Sequence, residues 1–161
     1  MICLDTDVLS VFLRSGAPPA AQRKLAEIPA DEHFTTTITL GELLYGAGRR
    51  RSAVLHQAID EYVGGDVSIL PFDEPAARSY ADIRVELEAA GRRLEDPDLR
   101  IAAICLAHDL TLVTGNVRHF ERVPGLRVEN WLEQTVEGYG SGPGSGGPPG
   151  GEPSMKQHPL T

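Results

Sequence analysis

The sequence predicts a three-layer α/β domain, with a central parallel sheet and helices on both faces. Three observations predict it. Short apolar or β-branched runs alternate with segments of helical spacing along most of the chain. Strands separated by helices pair in parallel, because the crossover must return to the same edge of the sheet. Acidic residues follow several of these runs, and sheets of this kind gather functional groups at the carboxyl ends of their strands.

The elements follow in order. Met1-Ile2-Cys3-Leu4 is a buried-strand pattern ending at Asp5. Residues 6–13 place Val8, Leu9, Val11, Phe12 and Leu13 on a short helix, stopped by Gly16 and Pro18-Pro19. Residues 19–28 fit a second helix, ended by Pro29. Residues 33–38 are β-branched and short, a second strand. Thr39 opens the next helix, which carries Glu42 and ends near Gly46 and Gly48. Residues 51–62 form another, closed by Gly64-Gly65, and 67–70 a third strand. Residues 74–90 have helical spacing through Ala77, Tyr80, Ile83 and Leu87, with Gly91 as the stop. Residues 97–108 are strongly helical, with Pro97 in the first turn. Residues 111–114 give a fourth strand and 126–128 a fifth, ahead of Trp131-Leu132.

These elements make residues 1–134 one domain. Residues 135–161, dominated by Gly, Pro and Ser from Gly138 onward, cannot bury a core, and we expect them to be disordered. The whole chain has 161 residues, 41% hydrophobic and 24% charged, the balance of an ordinary globular protein. No apolar run approaches a bilayer span, and no basic stretch precedes the first apolar run. Cys3 and Cys105 lie in apolar runs and read as buried free thiols, so a cytoplasmic protein is expected.

Net charge is −8, which argues against bulk, charge-driven binding to nucleic acid. Arginine is nonetheless clustered, at Arg49-Arg50-Arg51 and at Arg84, Arg92 and Arg93. Lysine is confined to Lys24 and Lys156. Arginine-only clusters suit phosphate contacts, although each alone also fits a solvated helix face.

The acids carry the chemistry. Asp5, Glu42, Asp96 and Asp98 sit at junctions between apolar runs, where carboxylates are disfavoured unless paired. Two unit charges 4 Å apart repel by about 4 kcal/mol at an effective dielectric near 20. A fold that gathers three therefore needs a counter-ion, and a divalent cation is the simplest. Each acid has a structural alternative. Thr6 and Asp7 are good helix caps, Thr39-Leu40-Gly41-Glu42 matches a capping box, and Asp96 fits an N-cap before Pro97. Asp98, inside the first turn of its helix, is free to face the sheet edge. After the fourth strand, Thr114 has a hydroxyl for a carboxylate, Asn116 can orient a water or contact phosphate, and His119 is near enough to join them. No His/Cys spacing for zinc, no Gly-x-Ser-x-Gly and no phosphate loop is present.

In order and spacing, four segments resemble the PIN-domain nucleases, and within them the VapC-type toxins of bacterial toxin–antitoxin pairs. They are Met1-Ile2-Cys3-Leu4-Asp5-Thr6-Asp7, Thr37-Ile38-Thr39-Leu40-Gly41-Glu42-Leu43-Leu44-Tyr45-Gly46, Asp96-Pro97-Asp98-Leu99-Arg100-Ile101-Ala102-Ala103 and Thr114-Gly115-Asn116-Val117-Arg118-His119-Phe120. The resemblance implies an endoribonuclease in which Asp5, Glu42 and Asp98 hold Mg²⁺ or Mn²⁺. A metal-activated water would attack phosphorus in line, leaving a 5′-phosphate and a 3′-hydroxyl. Asn116 joins the expected catalytic set, and Thr6, Arg49, Arg92 and Thr114 are the expected substrate contacts. It also implies a homodimer silenced by a small VapB-type antitoxin. The chain departs from the family pattern at Asp7, where Asn is common, at Arg93, where Pro is frequent, and at Gly115, where Arg is frequent. It departs again at Asn116 and His119, where acids are common. Two other readings compete. Leu4-Asp5-Thr6-Asp7-Val8 fits the opening of a haloacid-dehalogenase-like phosphatase, which needs a core lysine that this chain does not place well. The departures at Gly115 and His119 also fit a PIN fold that binds without cutting.

Overall fold

Side-chain alternation along the first strand sets the layers. In β1 (Ile2–Leu4), Ile2 and Leu4 enter one core and Cys3 the other, as the two-residue period of a strand requires. The computed structural model describes residues 1–14, 16–65 and 67–133. The expected tail at 135–161 lies outside the described residues.

After β1 come α1 (Thr6–Leu13), α2 (Pro19–Glu27), a short 3₁₀ turn (Ala30–Glu32), β2 (His33–Thr36), α3 (Thr37–Arg50) and α4 (Ala53–Val63). Then follow β3 (Ser68–Leu70), α5 (Glu74–Ala89), α6 (Asp96–Ala107), β4 (Thr111–Val113), α7 (Val117–Phe120) and β5 (Arg127–Glu129). The strands form one sheet in the order β3-β2-β1-β4-β5, and every pairing is parallel. One core packs α1, α2, α3 and α4 against Ile2, Leu4 and Val113, and includes Trp131. The other packs α5 and α6 against Cys3 and Leu112. This is the predicted three-layer architecture. Helix α6 is buried on nearly every side, from Leu99 through Ile101 to Cys105, and its alanines let neighbours approach closely. Cys3 and Cys105 meet in this core as free thiols. Among the described residues, no helix is long and apolar enough to cross a membrane.

Several boundaries differ from the sequence pattern. Strand β2 stops at Thr36, because the Thr36 hydroxyl accepts from the Thr39 amide at 3.0 Å and starts α3 there. Thr39 is a buried residue inside the helix, so the capping box with Glu42 does not form. Helix α3 also runs through Gly46 and Gly48 to Arg50. Burying Leu43 and Ala47 offsets the roughly 1 kcal/mol that each glycine costs. Arg51, at φ 49°, then ends the helix, and Ser52 rather than Arg51 opens the next. Helix α6 begins after Glu95, so Asp96 is its first residue and not its cap. Asp96 pairs instead with Arg100 at 2.8 Å and accepts from the Tyr80 hydroxyl. The short α7 was not legible in the sequence pattern.

Candidate active site

The carboxyl edge of the sheet lies where β1 and β4 end side by side. Asp5 follows β1 directly, and its amide donates to the Val113 carbonyl at 3.0 Å. From β2, the Thr35 hydroxyl donates to the Leu4 carbonyl at 2.9 Å, which fixes the same turn from the other side. Asp5 is the N-cap of α1 and is buried. One of its carboxylate oxygens accepts from the Thr6 amide at 2.7 Å, and the other from the Thr114 hydroxyl at 2.8 Å. Thr114 in turn accepts from the Asn116 amide at 3.1 Å.

Burial pushes the Asp5 carboxyl up to about 7 from an ordinary 3.8. The bonds from Thr6 and Thr114 oppose that shift, and the charges of Asp7 and Asp98 add to it. Asp98, in the first turn of α6, is also raised, chiefly by burial. His119 counters the rise, while Glu95 and Asp7 reinforce it. The His119 Nδ1 atom lies 2.8 Å from Asp98 Oδ2 but off the line of a good hydrogen bond, so the two form an ion pair only when the imidazole is protonated. Glu42 accepts from the Thr6 hydroxyl, which ties α3 to α1. Asp7 accepts from its neighbour Val8 at 2.7 Å and from the Gly115 amide at 2.8 Å.

Asp5, Thr6, Glu42, Asp98 and Thr114 are thus linked at one edge by hydrogen bonds or mutual charge. Asn116 stands exposed at the start of α7, joined to them through its amide. The two arginines lie elsewhere. Arg49 is exposed in the last turn of α3, about 10 Å along the helix from Glu42. Arg92 is exposed in the turn after α5, its amide bonded to the Leu87 carbonyl at 2.8 Å. Two members of the edge stood outside the expected set. Asp7 reads as a cap in the sequence, and His119 is placed there only as near enough to join the site. The signal available for His119 was its distance from Thr114, and it means little until α7 turns the ring toward α6.

The PIN domain family matches residues 2–126. The chain belongs to the PIN-domain family. The tRNA(fMet)-specific endonuclease VapC of Salmonella typhimurium is 36% identical over 128 residues, covering 80% of this chain and 96% of that protein. Its counterpart in Shigella flexneri is 33% identical with the same coverage. The crystal structure of VapBC2 from Rickettsia felis, bound to a DNA fragment from their promoter, superposes with a TM-score of 0.71 at 29% identity. That likeness covers 81% of this chain and 99% of the other. Among the described residues the only lysine is Lys24, which sits 5.7 Å from the centre of the Trp131 ring and pairs with none of the acids at this edge.

The edge of this PIN domain can be tested for a cation. Among the described residues, no Lys or Arg pairs with Asp5, Asp7, Glu42 or Asp98. Asp7 and Asp98 repel the buried Asp5, an arrangement that a positive ion would relieve. The donors are carboxylate oxygens, which suit a hard divalent ion. Among the described residues, no three acidic, His or Cys side chains already enclose a common point. The fit is therefore one of donor chemistry and charge, with Thr6 and Thr114 holding the carboxylates.

Proposed function

We propose that this PIN domain is the toxin of a type II toxin–antitoxin pair and cuts RNA as a divalent-metal-dependent endoribonuclease. The observation that carries the proposal is the buried Asp5, facing Asp7 and Asp98 with no basic side chain among the described residues to neutralise it. Metal dependence is typical of PIN-domain nucleases. Asp5, Glu42 and Asp98 would hold Mg²⁺ or Mn²⁺. When bound, such an ion stabilises charge on the phosphate and lowers the pKa of a water.

The chain's own residues do the positioning. Thr6 and Thr114 orient Asp5 and Glu42, so the carboxylates need not reorganise as charge develops. His119 holds Asp98, and Asn116 stands at the mouth to meet a phosphate or a water. Arg49 and Arg92, exposed outside the acid edge, would contact the backbone of the strand. The neighbour from Rickettsia felis is a VapBC structure, which supports a VapB-type antitoxin as the partner of this chain; a homodimer as its active form is part of the same proposal. Cellular RNA as substrate makes the cytoplasm its place of action.

The test is to incubate the antitoxin-free protein with total bacterial RNA and Mg²⁺ or Mn²⁺, then sequence the new 5′ ends. Discrete 5′-phosphate ends should appear and vanish with chelator. They should fall roughly a hundredfold or more in Asp98→Asn, as expected when several kcal/mol of charge stabilisation is lost. Equal cutting by Asp98→Asn would refute the proposal.

A further inference from the structure

Glu42 begins a stripe that continues down α3. Positions i, i+3, i+4 and i+7 share one side of a helix, and here they are Glu42, Tyr45, Gly46 and Arg49. Tyr45 is 68% exposed, an unusual place for so large a ring. The Arg49 guanidinium carbon lies 5.9 Å from the centre of that ring, within cation–π reach. Gly46 leaves a gap beside them, since a Cβ there would meet nothing within 4 Å. The gap opens into a recess of about 320 Å³ lined by Tyr45, Gly46, Arg49 and Arg50. A neighbouring recess shares Arg50 and adds Arg14. None of Arg14, Arg49, Arg50 or Arg51 has an acidic partner among the described residues. In a chain of net charge −8 this is a concentrated, unneutralised positive patch.

We infer that this stripe is a subsite for single-stranded RNA, in which Tyr45 stacks one base of the substrate and Arg49 and Arg50 hold the phosphates beside it. The inference rests on the ribonuclease function proposed above. An exposed aromatic ring flanked by arginines offers a base a flat platform and its backbone a counter-charge. Tyr45 lies less than one helical turn from Glu42, about 4.5 Å along the axis. A strand held at the acid edge therefore reaches the ring within a nucleotide or two. A base in a duplex has no free face to offer, so the subsite selects unpaired segments. Charge complementarity alone would also draw an acidic peptide. The exposed Tyr45 ring offers a flat base a face to stack on, with the recess beside Gly46 next to it, and an acidic peptide has no such use for the ring.

The test measures binding of a fluorescein-labelled single-stranded RNA of about 12 nucleotides, within the usual range of single-strand site sizes, to the full-length Asp98→Asn protein. In that background Tyr45→Ala should weaken binding about tenfold, the loss expected for one stacked base. Tyr45→Phe keeps the ring and should restore it. Gly46→Leu should weaken binding similarly by filling the recess, and the free space at its Cβ lets the fold accept it. With Asp98 restored, Tyr45→Ala should raise KM and leave kcat close to that of the parent. Unchanged binding in Tyr45→Ala and Gly46→Leu would overturn the inference, as would an equal loss toward a duplex of the same sequence. A shift of Tyr45→Ala from dimer to monomer in sedimentation would overturn it too, by making the ring a contact between copies. If the parent cuts no RNA while binding still depends on Tyr45, the ribonuclease function fails and the subsite stands.

Discussion

The carboxyl edge of the sheet and the far end of α3 differ in charge and in how they are built. At the edge, Asp5 is buried, takes a hydrogen bond on each carboxylate oxygen, and faces two other acids. At the far end, Arg49, Arg50 and Arg51 are exposed and have no acidic partner among the described residues. Two glycines repeat the contrast. A Cβ on Gly115 would lie 2.7 Å from an Asp7 oxygen and 3.2 Å from a Leu132 methyl, whereas one on Gly46 would meet nothing. Reacting groups must be fixed before the substrate arrives, and that takes burial and donors. Holding a charged polymer takes only accessible charge on a firm helix.

The largest effect that separates the two ends is a pH dependence. Asp5 binds its proton more tightly in the folded chain, near 7, than in the unfolded one, near 3.8. Its contribution to stability is therefore fullest below about pH 4 and is lost as pH rises to about 7. Thermal melts of metal-free protein should show a decline across that window, worth about 4 kcal/mol at most by the shift alone. Asp5→Asn should remove the larger part of the decline, leaving the part that the raised Asp98 carboxyl contributes, and Thr114→Val should carry it to higher pH by removing a donor that favours the ionised form. A flat profile in the parent would mean that Asp5 is not effectively buried.

A smaller effect sharpens the contrast between the glycines. Gly115→Ala should cost about 1 kcal/mol in denaturant melts, since Asp7 must give up its bond to the Gly115 amide. No loss would show that the acid edge is as loosely packed as the outer face of α3.

The alternation of strands and helices was legible because each short apolar run is bounded by residues that break it, as Pro29 and Gly91 do. Asp5 was legible because an acid has little structural reason to follow Ile2-Cys3-Leu4. The start of α3 was not, since Thr36, Thr37 and Thr39 suit a strand as well as a cap. The choice is made by the Thr36 hydroxyl reaching the Thr39 amide. Partners distant in sequence were also hidden. Glu42 is held by Thr6 on another helix, and Asp98 meets His119 only because α7 forms. Glycines in α3 read as a stop because spacing carries no record of the core that pays back their cost.

The most direct test is Mn²⁺ binding, followed by electron paramagnetic resonance on the full-length chain freed of any antitoxin. Asp5, Glu42 and Asp98 should hold the ion, so the parent should take up Mn²⁺, and Asp5→Asn and Asp98→Asn should each weaken uptake at least roughly tenfold. Equal Mn²⁺ uptake by the parent and both variants would show that the acid edge is not where this protein holds its metal.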